Sequence, residues 1–316
     1  MQRAAKLFIV MPCYNEEAII QLTIDEVSKK MDELIQLNLI STGSAMLFVD
    51  DGSKDETWRI LMINSLVNDK VKCVKLAANV GHQSALMAGI LSTRNLADVV
   101  ITMDADLQHD INALNDFIQL YHKGFDIVFG VRNDRNTDTL FKKTSALFFY
   151  KMMSSLGVNV IKNHADFRLM GANVIEAISL HSEVHLFLRG ILQTVGFKQT
   201  ILYFNVKDRV YGSSKYSLSK MLKLALDGIT SFSVKPLRLI SLMGVIIFLV
   251  SIVMIMWNVS DYFRGKSIPG WASLSSSIWF LGGLIILSIG VVGEYIGKIY
   301  NEVKRRPRFI IEDQRL

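Results

Sequence analysis

From residue 7 to about 130, short apolar runs alternate with longer stretches in which apolar residues recur every three or four positions. The runs are Leu7 to Met11, Ala45 to Val49, Val71 to Leu76, Val99 to Met103 and Asp126 to Phe129. Between them, Glu16 to Leu37 and Lys54 to Val67 carry the helical spacing. This alternation predicts an α/β domain, a mainly parallel sheet covered by helices, with ligands at the carboxyl ends of the strands. Asp50 and Asp51 follow the second run, and Asp104 and Asp106 follow the fourth, so acidic residues gather where such a fold places a site.

The carboxyl-terminal third has another pattern. Leu239 to Ser260 and Ser267 to Gly293 contain no charged residue, and each exceeds the roughly 20 residues that cross a bilayer. Two transmembrane helices are the expectation; a buried hairpin of a soluble protein is the alternative. Lys220, Lys223, Lys235 and Arg238 precede the first stretch, while Lys298, Lys304, Arg305, Arg306 and Arg308 follow the second. The positive-inside rule then puts both flanks in the cytosol. The resulting domains are 1–235 (cytosolic, catalytic), 236–298 (a two-helix membrane hairpin) and 299–316 (a basic cytosolic tail). Segments 141–156 and 216–232, rich in Phe, Met and Leu beside lysines, read either as interfacial helices among membrane lipids or as ordinary core packing.

Composition sharpens this division. Of 316 residues, 50% are apolar and 20% charged, with a net charge of +6, and the mean hydropathy is +0.30. A polar domain joined to a lipid-soluble part fits better than one uniform globule. The basic residues flank the apolar stretches rather than line an aromatic groove, so anionic lipid explains them and nucleic acid is not expected as a partner. Cys13 and Cys73 form no CxxC pair, which argues against a zinc site or a disulfide framework. The apolar run near the amino terminus stops at Pro12, too short for a signal peptide.

The strongest chemical signal is Asp104-Ala105-Asp106-Leu107-Gln108. On an extended backbone, residues two apart face the same side, so both carboxylates can meet one hard cation, Mg2+ or Mn2+, that bridges a diphosphate. Asp110 is placed to cap the following helix. Met11 to Glu17 ends the first strand with a proline turn, an aromatic ring and carboxylates; Phe48 to Ser53 ends the second with Asp51. Each alone reads as a turn plus a helix cap, but together at one sheet edge they favour a nucleotide site.

The PCYNEE, DDGS and DADLQ segments resemble family 2 glycosyltransferases with a GT-A (Rossmann-like) fold. The two-span ending, Ala165 to Leu169 and Arg209 to Tyr216 more closely resemble dolichol-phosphate mannosyltransferases and bacterial bactoprenol glucosyltransferases. The resemblance implies that Pro12, Tyr14, Glu16 and Asp51 bind the nucleotide. It places Asp104, Ala105, Asp106 and Gln108 at the metal and diphosphate, the metal being held by Asp104, Asp106 and Gln108. Arg132, Arg209 and Lys215 would bind phosphates, a role that the planar Arg fork and the flexible Gly212 loop suit. Asp106 and Asp166 would be the catalytic carboxylates. Asp166 is the acceptor-side candidate, as a base, as an orienting group, as a partner of Arg168 or as a wall of the donor pocket. A phosphate monoester, with a second pKa of about 6, needs little deprotonation at neutral pH.

The implied reaction moves a sugar from a nucleotide-sugar donor to polyprenyl phosphate with inversion, and the bacterial-type ending favours UDP over GDP. A separate flippase downstream is a further implication, and the sequence leaves homo-oligomerisation open. A processive polysaccharide synthase is disfavoured because no Arg-Trp dipeptide occurs; the intact acidic set speaks against a non-catalytic scaffold. None of the six histidines has ligand spacing, so His82 and His109 read as ordinary polar or supporting residues.

Overall fold

The structure, a computed structural model, describes residues 3–133, 164–181, 188–205, 235–264 and 270–316. Its strands are β1 (Leu7–Cys13), β2 (Ala45–Asp50), β3 (Val71–Leu76), β4 (Val99–Thr102), β5 (Ile127–Arg132), β6 (His164–Gly171), β7 (Gln199–Phe204) and β8 (Ile311–Arg315). The helices are α1 (Ile20–Gln36), α2 (Thr57–Val67), α3 (His82–Ser92), α4 (Ala113–His122), α5 (Ala172–Ser179), α6 (Leu188–Thr194), α7 (Lys235–Phe263) and α8 (Trp271–Val303). Two compact units result, one containing the eight described strands and the other containing α7 and α8.

The strands form one sheet in the order β7-β5-β6-β4-β1-β2-β3-β8. Its centre, β3-β2-β1-β4, is parallel, whereas β6 runs antiparallel between β4 and β5 and β8 runs antiparallel along β3. Every residue of β1 is buried because both faces are covered. Leu7, Ile9 and Met11 join the core beneath α1 and α4, while Phe8 and Val10 join the core beneath α3, the period of two that a strand imposes. Gly89 lets α3 press onto β1 and β2: a Cβ there would stand 2.4 Å from Val10 Cγ1 and 2.7 Å from Val49 Cγ2.

The first strand runs past Met11 to Cys13 through a proline. This is tolerated because β4 pairs with β1 only from Leu7 to Val10, so Pro12 has β2 on one side and no ladder bond to lose on the other. The carboxyl terminus also differs from a simple tail. Residues Cys73 to Leu76 pair with Arg315 to Ile311, and Lys75 Nζ meets Glu312 Oε1 at 2.9 Å. Within the other unit, Leu239 to Ser260 falls in α7, and the second uncharged stretch falls in α8 from Trp271 onward. Among the described residues one segment, Phe280–Val303, is long and apolar enough to cross a membrane, and none of its apolar window is buried. The segments 141–156 and 216–232 lie outside the described residues.

Candidate active site

The carboxyl ends of β1 and β2 are tied together by side chains of the loops that leave them. Asn15, in the left-handed region at φ +53°, donates its N–H to Ser53 Oγ at 2.9 Å and accepts from Lys54 N–H through Oδ1 at 2.8 Å. Glu16 N–H donates to Thr57 Oγ1 at 2.9 Å, and Glu17 Oε2 accepts from Glu56 N–H at 3.0 Å. The PCYNEE and DDGS segments thus form one surface, with Pro12 buried and Tyr14 and Glu16 half-buried upon it. Asp51, nearly buried, holds the next loop: Oδ1 accepts from Val80 N–H at 2.8 Å and Oδ2 from Gly81 N–H at 3.0 Å. Burial pushes the Asp51 carboxyl above its ordinary pKa, against the pull of those two N–H groups. Gly52, at φ +68°, is required here, since a Cβ would lie 2.8 Å from Asn79 N and 2.9 Å from Ala78 C.

The acidic pair after β4 does not sit on an extended strand, which corrects the geometric basis of the sequence expectation. The strand ends at Thr102, and residues 104–107 form a turn with Leu107 at φ +57°. Thr23 of α1 pins the turn by donating its hydroxyl to Ala105 O at 2.7 Å. Asp106 Oδ1 accepts from Gln108 N–H at 3.2 Å; Asp110 Oδ1 accepts from Asn112 N–H at 3.1 Å in the turn before α4, but the N-cap position is Asn112 and carries no side-chain cap bond, so Asp110 is not the cap the sequence suggested. The turn presents Asp104, Asp106 and Gln108 half-buried while Ala105, Leu107 and His109 face inward.

Asp166 approaches from β6, beside β4. Thr102 donates its hydroxyl to Asp166 O at 2.7 Å. Two residues on, and therefore on the same face of the strand, fully buried Arg168 directs Nη2 to Asp166 Oδ1. The other carboxylate oxygen receives Gln83 Nε2 at 3.4 Å and lies 3.3 Å from His82 Nε2. That imidazole nitrogen is also 3.8 Å from Asp104 Oδ1, so His82 bridges the two acidic residues. Burial works to lower the His82 pKa, but the Asp166 hydrogen bond and the Asp104 and Asp166 charges outweigh it, and the net direction is upward. The side chain is 42% exposed, so water screens the effect.

The structure therefore brings Asp104 and Asp166 together through a residue for which the sequence had suggested only a supporting role. Its position was legible: Gly81-His82-Gln83 opens α3 just after β3, at the same strand-end edge. Arg132 ends β5 at that edge and is half-buried, and its charge helps lower the His109 pKa. Arg209 and Lys215 lie outside the described residues. Clefts of about 420 and 410 Å³, lined by Arg3 and Asp98 among others, sit at the opposite, amino-terminal edge and hold none of these residues.

The donor set fits a hard divalent cation. Asp104 and Asp106 offer carboxylate oxygens from a pinned turn, the Asp104 side chain being 32% exposed. Among the described residues no three His, Cys, Asp or Glu side chains converge as a complete ligand group. Oxygen donors of this kind, with diphosphate oxygens and water to complete the shell, would suit Mg2+ bound with a nucleotide.

Comparisons with known proteins bear on the family and the fold. Residues 8–179 match the family model described as glycosyl transferase family 2, and residues 235–299 match the GtrB C-terminal hairpin. The chain is 49% identical over 306 residues to the uncharacterized glycosyltransferase YkoT of Bacillus subtilis (strain 168), covering 97% of this chain and 91% of that protein. It is 36% identical over 312 residues to the bactoprenol glucosyl transferase of Shigella phage SfX, covering 98% and 100% respectively. Among solved structures, the mannosyltransferase PcManGT from Pyrobaculum calidifontis in complex with GDP-Man and Mn2+ aligns with a TM-score of 0.51 at 13% identity, over 96% of this chain and 86% of that one. This last likeness concerns the fold.

Proposed function

We propose that this chain, which belongs to glycosyl transferase family 2, transfers a sugar from a UDP-sugar, UDP-glucose or a relative of it, to undecaprenyl or a similar polyprenyl phosphate, with inversion. The observation that carries the reading is the meeting of Asp104, His82 and Asp166 at the carboxyl edge of the sheet, beside the stitched β1 and β2 loops. The lipid acceptor rests on the relative named for bactoprenol, which this chain matches along nearly its whole length.

In this reading Tyr14 stacks on the base over Pro12, and Glu16 and Asp51 accept hydrogen bonds from base or ribose. Asp51 is well set for that, because two backbone N–H groups fix its orientation while each oxygen keeps a further lone pair. Asp104, Asp106 and Gln108 hold Mg2+ or Mn2+ next to the diphosphate. Such a cation, when bound, neutralises charge on the departing nucleotide. Arg132 contributes positive charge at the phosphates, and Arg209 and Lys215 are assigned the same role. Asp166, held by Arg168, Gln83 and His82, orients the acceptor phosphate for attack on the far side of the anomeric carbon. With a second pKa of about 6, that phosphate arrives largely anionic, so the role needs no proton transfer.

The domain scheme retains 1–235 as cytosolic and 236–298 as a two-span membrane hairpin, with residues 299–316 returning to the cytosolic side. The unburied apolar window of α8 supports membrane insertion, since a core helix of a soluble protein would bury it. Purified protein offered a panel of nucleotide-sugars with undecaprenyl phosphate and Mg2+ or Mn2+ should yield a lipid phosphate carrying one hexose, identified by mass spectrometry. Sugar addition to a saccharide but not to lipid phosphate would overturn the assignment.

A further inference from the structure

The turn that carries the acidic pair closes on a histidine to which the proposed chemistry gives no task. His109 is fully buried. Its ring lies parallel to that of Phe167, 4.9 Å away with an interplanar angle of 8°, and edge-on to Phe204 at 5.5 Å, so its plane is fixed from two sides. Nδ1 stands 3.2 Å from Asp104 N. A backbone N–H can only donate, so Nδ1 presents its lone pair, and in a neutral ring the proton then resides on Nε2. Among the described residues buried Nε2 has no hydrogen-bond partner, and the carboxylate oxygen Asp104 Oδ2 lies 3.6 Å from it, just beyond bonding distance.

We propose that His109 is a positioning residue for Asp104: it fixes the backbone N–H at Nδ1 and draws Oδ2 onto Nε2–H, turning Oδ1 toward the cation. The stacked phenylalanines supply the rigidity, because the ring cannot follow the carboxylate and the carboxylate must come to it. A histidine kept only for packing would be replaced by phenylalanine without consequence for the cation, since the surroundings are already aromatic. The inference rests on the reading of Asp104 as a cation ligand, and its test separates the two.

Mn2+ affinity is measured by electron paramagnetic resonance on the full chain with UDP present, for the parent, Asp104→Asn, His109→Phe and His109→Gln. Loss of a hydrogen bond to a metal ligand typically weakens binding 10- to 100-fold, and that is the shift expected for His109→Phe. His109→Gln, which restores an amide N–H, is expected to recover part of the loss. Parent-like affinity in His109→Phe, with binding lost in Asp104→Asn, overturns the positioning role and leaves the cation site standing. Parent-like affinity in Asp104→Asn overturns the cation reading itself. If His109→Phe does not fold, long-range 15N–1H spectra of the unsubstituted chain decide. A His109 ring protonated at Nε2, with a resonance that moves on addition of Mg2+ and UDP, is expected; protonation at Nδ1 overturns the proposal.

Discussion

Replacing Asp166 should damage folding as well as chemistry, and the structure indicates by how much. Arg168 has no exposed surface, and its Nη2 meets Asp166 Oδ1. Removing one member of a buried ion pair costs about 3–5 kcal/mol, because the remaining charge is held out of water with its counter-charge gone. The Asp166 side chain is 13% exposed, which places Asp166→Ala near the lower end, at about 3 kcal/mol. For a domain of this size that corresponds to a fall in Tm of roughly 6–12 °C. Asp166→Asn, which keeps an acceptor oxygen for the guanidinium, should lose less than half as much. Adding Arg168→Met to Asp166→Ala removes the stranded cation, so the double variant should be more stable than the additive expectation by about 1–3 kcal/mol. Thermal unfolding of the full-length chain in detergent, followed by circular dichroism for these variants and for Arg168→Met alone, gives all three values. A Tm for Asp166→Ala within about 2 °C of the parent would refute the structural role of the pair. Loss of transfer in that variant would then be a direct readout of chemistry.

Asp106→Asn should reduce metal-dependent transfer at least 100-fold with Tm unchanged, because the side chain is half-buried on a turn that Thr23 pins independently; initial rates across a Mn2+ titration check this. Gly52→Ala should cost about 2–4 kcal/mol, the sum of a left-handed backbone and a clash with the backbone at Ala78 and Asn79. It should also weaken UDP binding by displacing the loop that Asp51 holds, measured by calorimetry beside the unfolding midpoint. The His82 pKa is raised above the ordinary 6.5 in the folded state. Its stabilising contribution is therefore complete below about pH 6.5 and lost as pH rises through the folded value. In metal-free protein, Tm should decline slightly across that interval, and His82→Gln should flatten the decline; identical pH profiles would contradict the contact.

Much of this was legible in the sequence because the physics was local. Buried strands such as Val71–Leu76 announce themselves by apolar runs, and the strand-end rule locates both acidic pairs. Residues that act over long sequence separations were less visible. Nothing near Asp51 reveals that its carboxylate holds residues 80 and 81, and nothing near Asp166 indicates that residue 82 lies against it. The bend at Asp104 is not legible as such, because a DxD spacing suits an extended backbone and a turn alike, and left-handed Leu107 carries no glycine to advertise it. The segment Ile311–Arg315 escaped for a related reason. With four of its five residues polar, it reads as a tail, and only the open edge of β3 makes it a strand.

That eighth strand bears on membrane topology in a way independent of charge. Strands β7 and β8 belong to one sheet, and the chain between them contains both long helices. A chain that leaves a domain and returns to it must cross any bilayer an even number of times. If the unburied apolar window in α8 crosses once, a second crossing has to be found between residues 205 and 310. The 29 residues of α7 extend about 44 Å at 1.5 Å per residue, ample for a hydrocarbon layer of roughly 30 Å. The uncharged run Leu239 to Ser260 lies within it. Once a single span is granted, sheet connectivity asks for an even number of crossings, and the two-span hairpin proposed above meets that demand, as do the basic residues that flank both apolar stretches.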